Sequence, residues 1–132
     1  MTIWMARAGK HGEHEDLALE NGVAVIGWSE LSDLTGIITR EALQELCKRV
    51  YAEEKTKTIS HWVSQIWSFV GLMQEGDLVT LPLKTRSAIA IGRITGPYQY
   101  REDLPPDARH TRSVEWIKTD IPRTSFDQDI LY

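Results

Sequence analysis

The sequence predicts an α+β domain: a curved mixed sheet or small β-barrel flanked by helices. Three observations carry this. Apolar segments and turn signals follow one another in the order β-α-β-α-α-β-β-β. Two segments place apolar residues at helical spacing, one with Leu43, Leu46, Cys47 and Val50, the other with Ile59, Trp62, Val63, Ile66, Trp67 and Val70. After Gly76-Asp77 the chain turns to short apolar runs divided by turn residues, the pattern of strands.

In chain order, Ile3 to Ala8 reads as a short strand closed by Gly9-Lys10-His11-Gly12. His14 to Glu20 reads as a short helix ended by Asn21-Gly22, a favourable helix-to-strand turn. Val23 to Ile26 is a continuous apolar strand, expected to be buried on both faces. Thr39 can cap a helix over Arg40 to Tyr51, and a further helix is predicted from about Ile59 to Leu72. Leu78 to Leu83 and Ser87 to Thr95 read as a hairpin with Lys84-Thr85-Arg86 at its tip. Gly96-Pro97 is expected to break the second strand, with Tyr98 to Tyr100 resuming it. Arg109 to Thr119 alternates enough to be the last strand, before the turn at Asp120 to Arg123.

With 132 residues, the chain is long enough for one core and too short for two, so a single domain over 1–132 is expected. Hydrophobic residues at 42% and charged residues at 26% argue against wholesale disorder and against a coiled coil. No apolar run approaches the roughly 18–20 residues that cross a bilayer. Met1 to Arg7 lacks a basic stretch followed by an apolar one. The single cysteine, Cys47, excludes a disulfide framework and a cysteine-built zinc site. A cytoplasmic setting without membrane contact is the expectation. The net charge of −4 provides no global basic field, so any nucleic acid would have to be held by a local patch and a specific pocket.

Catalysis finds no convincing set of residues, and neither metal nor cofactor is expected. Glu53-Glu54-Lys55 matches the Glu-x-Lys of many metal-dependent nucleases, but it lies beyond a helix with no upstream aspartate in register. His11 and His14 could share a metal on a helical turn, but without a third ligand recognised nearby a loop histidine pair is the expectation. Cys47 sits on an apolar helical stripe, where a thiol is inert. No phosphate-binding Gly-x-x-x-x-Gly-Lys-Ser/Thr loop and no Gly-x-Ser-x-Gly elbow occur.

Five tryptophans are numerous for this length. Trp62 and Trp67 lie on the apolar helical stripe and read as core, and Trp4 and Trp116 also read as structural. Trp28 differs, because it follows a buried strand and a glycine and precedes the polar Ser29-Glu30. At the rim of a sheet it either plugs the barrel end or serves as a stacking platform, with Gly27 to Ser29 offering backbone groups to a ring edge.

The order of motifs resembles the PUA-like superfamily, which includes YTH, EVE and SRA-type readers of modified bases. The resemblance rests on Met5-Ala6-Arg7-Ala8-Gly9, on Val25-Ile26-Gly27-Trp28-Ser29, and on Val114-Glu115-Trp116 running to Ile121-Pro122. With Gly92-Arg93-Ile94-Thr95-Gly96-Pro97-Tyr98 added, the whole chain looks most like the N-terminal module found ahead of Mrr-type restriction nuclease domains. The resemblance implies a module that reads a modified, methylated base flipped out of double-stranded DNA. Such a module would be the recognition part of a restriction system, with any nuclease on another domain or chain. An RNA-binding YTH or PUA-type role, a nucleotide-like small-molecule site and a ligand-free oligomerisation module are the alternatives. Trp28 matches one cage tryptophan of YTH domains, with Gly27 and Ser29 beside it, and Arg7, Ala8 and Gly9 match the end of their first strand. Their second cage aromatic has no tryptophan counterpart here, and Tyr98 and Tyr100 are the nearest candidates. A phosphate-contacting rim is expected from Lys84, Arg86, Arg101, Arg109, His110 and Arg112.

Overall fold

In the computed structural model, which describes residues 2–125, one five-stranded mixed sheet organises the chain. Strands β1 (Ile3–Met5), β2 (Val23–Ile26), β3 (Leu78–Pro82), β4 (Ala88–Tyr100) and β5 (His110–Pro122) lie in the order β1-β3-β4-β5-β2. β1 pairs parallel with β3, and every other pairing is antiparallel. Helix α1 (Glu15–Asn21) precedes β2; α2 (Arg40–Val50) and α3 (Thr56–Trp67) form a hairpin between β2 and β3. The α+β class read from the sequence is the observed one. No helix of the described residues is long and apolar enough to cross a membrane.

Local chemistry explains the element boundaries. Gly22 adopts a left-handed conformation (φ 63°) and its N–H bonds the Ala18 carbonyl, which ends α1 where Asn21-Gly22 predicted. The Thr39 hydroxyl accepts the Ala42 N–H at 3.1 Å and starts α2. Leu43 and Cys47 of α2 meet Ile59, Val63 and Ile66 of α3 in one buried cluster, and burial pushes the Cys47 thiol pKa up. β2 is buried on both faces: Val23 and Val25 pack against Ala108, and Ala24 faces the concave side of the sheet.

Two irregularities depart from the sequence expectation. The helix expected to run to Leu72 widens after Trp67 into a π-helical turn, Ser68–Leu72. The Ser68 hydroxyl donates to the Ser64 carbonyl, and the Met73 N–H reaches Ser68 O at 3.0 Å, five residues back. The turn drives Phe69 and Met73 into the concave core with Ala24, Val79, Ile94 and Val114. Gly96-Pro97, expected to break the strand, lies inside β4 at a bulge. Ile94 pairs with Val114 and Tyr98 with Arg112, so β4 advances four residues while β5 advances two. Pro97 lacks a ladder N–H, and a bulge is where its absence costs nothing.

Arg112 joins these two irregularities, which corrects its assignment to a phosphate-contacting rim. Its side chain is 4% exposed. Nε and Nη2 donate to the Gly96 carbonyl in the bulge (3.2 and 2.9 Å), and Nη1 donates to the Phe69 carbonyl in the π turn (3.1 Å). Desolvation lowers its pKa from the ordinary arginine value. A buried guanidinium bonded to two backbone carbonyls is a structural clamp.

Arg112→Met should therefore act on stability. It leaves the Gly96 and Phe69 carbonyls without donors, at about 1–3 kcal/mol for each unsatisfied group. Denaturant unfolding should show a loss of that order, and a salt-dependence measurement on any polyanion should show no change in slope.

Candidate functional site

The edge strands of the sheet, β1 and β2, do not pair with each other, and residues from both border one gap. A cleft of about 880 Å³ occupies the gap. One wall is β1 and the chain after it (Trp4 to Arg7, Gly9, Lys10); the opposite wall is the end of β2 with Gly27 and Trp28. Trp62 and Gln65 of α3, with Ser68, Phe69 and Met73, form the inner side. Glu13, His14, Lys84 and Asp107 complete the mouth.

Trp28 holds the least ordinary backbone in the domain. Its φ is +54°, the only positive value at a non-glycine residue among those described. A bulky side chain in this region costs about 1–2 kcal/mol, so surrounding bonds must hold it there. The Leu31 N–H donates to Trp28 O at 3.0 Å, closing a turn. His110, which is 1% exposed, places Nε2 at 3.3 Å from Trp28 O and 3.1 Å from Leu31 O. Both are acceptors, so Nε2 carries the hydrogen and Nδ1 is the acceptor. Tyr98 then donates its hydroxyl to Nδ1 at 2.7 Å while accepting the Leu34 N–H at 3.1 Å. Burial lowers the His110 pKa, against the raising effect of the two carbonyls, and pushes the Tyr98 phenol up to about 12.

The Trp28 indole meets Trp62 edge-on, with centroids 6.3 Å apart and planes at 67°. Trp62 is backed in the same manner by Tyr51, whose hydroxyl donates to Glu30 Oε1 at 3.0 Å. Both indoles border the cleft. A Cβ built on Gly27 would meet nothing within 4 Å, so this side of the cleft is open for want of a side chain.

The mouth carries both signs of charge. Arg7 and Lys10 are exposed, and Lys84 Nζ donates to the Lys10 carbonyl at 2.7 Å. The buried Glu15 carboxylate fixes the hairpin tip by accepting the Lys84 N–H at 2.6 Å and the Thr85 N–H at 3.3 Å. Backbone N–H donors, its own and that of His11, hold the Glu13 carboxyl below the usual range, and His14 at 3.0 Å does the same for Asp107. Glu13, His14 and Asp107 have ligand-type atoms within 4.8 Å of one another, the one such group among the described residues. His14 Nε2 already faces Asp107 Oδ2 at 3.0 Å, and His11 contributes its backbone N–H to Glu13 Oε2, so the two histidines serve different partners.

Several sequence expectations are redrawn. Trp28, Gly27, Arg7 and Gly9 all line the cleft. Ala8 is buried under the sheet with Ala18, Leu81 and Leu83, and Ser29 is exposed outside the lining. Tyr98 and Tyr100 are not cleft walls. Tyr98 holds the loop after Trp28 from behind, and Tyr100 packs against the His110 ring with centroids 5.2 Å apart. Of the expected phosphate contacts only Lys84 borders the cleft. Arg86 lies 3.8 Å from Asp16, Arg101 is engaged by Asp103 at 2.7 Å, and Arg109 Nε donates to Leu104 O. His110 and Arg112 are buried too deeply to touch a phosphate.

The sequence pattern alone does not place Trp62, Gln65 and Lys10 in a pocket. Trp62 and Gln65 sit one position off the buried Ile59–Val63–Ile66 stripe, three residues apart, and that spacing is the signal of a second face.

A family model described as "Domain of unknown function (DUF8426)" matches residues 4–129. No curated protein and no solved structure matches the chain.

The left-handed Trp28 has a direct test. Trp28→Gly and Trp28→Ala lose the same indole, but only alanine retains a Cβ at positive φ. Urea unfolding should find the glycine variant more stable by about 1 kcal/mol, the reverse of the order in extended backbone.

Proposed function

We propose, for a chain that belongs to the DUF8426 family, that the cleft between the sheet edges receives a single base flipped out of double-stranded DNA. On this reading the domain adopts the PUA-like arrangement of modified-base readers and recognises a methylated base. It serves as the recognition part of a cytoplasmic restriction system, without chemistry of its own. Cleavage would fall to a separate nuclease domain or chain.

The observation that carries the reading is Trp28, held at positive φ with its indole at the rim of an open cleft beside a residue without a side chain. Backbone strain of this kind persists where surrounding structure over-determines it, and ligand clamps are a common place. The cleft volume lies within the roughly 300–1,000 Å³ of small-ligand sites, ample for one base and too small for a duplex. A flat ring on Trp28 gains about 1–3 kcal/mol from stacking, which offsets the few kcal/mol of extrusion. The second aromatic side is Trp62. Arg7, Lys10 and Lys84 are placed to meet the phosphates flanking an extruded nucleotide, while Glu13 and Asp107 keep the mouth from attracting polyanions indiscriminately.

Affinity should be measured for matched duplexes differing only in cytosine or adenine methylation, with RNA of the same sequence beside them. The domain should prefer one methylated duplex. Trp28→Ala should weaken that complex about 5- to 150-fold and leave the weak, salt-sensitive binding to unmodified duplex in place. Gly27→Leu should do the same with an unchanged melting temperature, since its side chain enters open space. Lys10→Ala with Lys84→Ala should flatten the salt dependence by about 0.9 in log–log slope for each phosphate no longer neutralised. Equal affinity for all duplexes, or preference for RNA, would refute the DNA-reading assignment.

A further inference from the structure

We infer that His110 and Tyr98 are positioning residues for Trp28: a neutral His110 locks the loop after β2 in the shape that presents the indole to the cleft, and its protonation unlocks it. The lock is a part-buried relay in which each donor has an acceptor. The Leu34 N–H donates to the Tyr98 oxygen, the Tyr98 O–H donates to His110 Nδ1, and His110 Nε2–H is shared by Leu31 O and Trp28 O. Both ends of the relay return to the same loop, at residue 34 and at residues 28 and 31. β4 and β5 thus hold the loop at its entry and its middle, against the positive φ of Trp28.

A proton on Nδ1 sets two donors, the imidazolium and the phenol, against each other. Tyr98 can accept from the imidazolium only by turning its own hydrogen away, while the Leu34 N–H already occupies the other side of the oxygen. The surroundings provide little compensation. From β4, Tyr98 and Tyr100 face the ring; β2 contributes only Val23 to Ile26; and among the described residues Asp33 in the loop is the carboxylate whose charge favours the imidazolium. Burial outweighs it and lowers the folded-state pKa below the ordinary 6.5. The sign follows from linkage. The unfolded or opened loop binds the proton more readily, so the lock is fully present above pH ~6.5 and is lost as pH falls through the lower folded value. The consequence for ligand binding rests on the base-reading proposal; the change in the loop does not.

The test needs no ligand. Hydrogen exchange at the Leu34 amide should be followed by NMR on the full chain from pH 7.5 to 5 and expressed as a protection factor, which removes the intrinsic pH dependence of exchange. The amide should be protected at pH 7.5, and its protection should fall below pH ~6.5 by up to about tenfold per pH unit. His110→Gln, a neutral side chain with a donor and an acceptor, should remove that pH dependence. Tyr98→Phe should lower Leu34 protection at every pH while amides in the β3–β4 ladder stay protected, which separates an open loop from an unfolded domain. Leu34 protection that is flat with pH in the native chain, or the same pH profile in His110→Gln, would overturn the inference.

Discussion

A buried guanidinium held by two backbone carbonyls is the interaction on which this architecture depends. Arg112 sits where β4 has two more residues than β5 can pair and where α3 has unwound into a π turn. Each irregularity leaves a backbone carbonyl turned inward, and one planar, multi-donor side chain satisfies both. A lysine offers no such fork. Without the clamp, the bulge at Gly96 and the turn at Phe69 would each bury an acceptor without a donor.

From that clamp the geometry of the cleft follows. The bulge sharpens the bend and twist of the β4–β5 hairpin and carries Tyr98 into register with Arg112, two positions from His110. The π turn sends Phe69 and Met73 into the concave side of the sheet, where they fill the space between the curled strands. The sheet curls but its edge strands do not pair, and the unfilled gap between β1 and β2 is the cleft. Trp28 stands at the end of one edge, and Arg7 follows the other. Among the described residues, backbone preference and fold conflict at one non-glycine position, Trp28, and the conflict falls on the cleft wall.

Periodicity made much of the frame legible. Val23–Ile26, the Thr39 cap and the Gly22 terminus came from local chemistry that the fold leaves intact. Gly96-Pro97 misled because its residue types signal a break, whereas the bonds that absorb the bulge come from the Arg112 side chain, 16 residues away. His110 and Arg112 misled for a related reason. Alternation along β5 distinguishes an inner from an outer face, but both faces are covered at the start of this strand: His110, Thr111 and Arg112 are all buried. A charged residue type in a segment of apparent alternation reads as exposed unless its acceptors are known, and these acceptors are backbone atoms. The Trp28 side of the cleft was legible from Gly27-Trp28 after a buried strand. Its Trp62 side was not, because a tryptophan adjacent to a buried helical stripe looks like part of that stripe.

The central claim is that a flat ring stacks on Trp28 with Trp62 at its edge, and the indole N–H resonances of the five tryptophans report it directly. A nitrogen-15 spectrum recorded while adding a duplex with one 5-methylcytosine, and another with one N6-methyladenine, should move the Trp28 and Trp62 indole signals with one of the two. Trp116, whose indole N–H is held by the Ala18 carbonyl at 3.0 Å, should stay in place. Binding that leaves Trp28 and Trp62 unmoved, or that shifts only signals near Arg101 and Arg109 on the β4–β5 connection, would contradict the account.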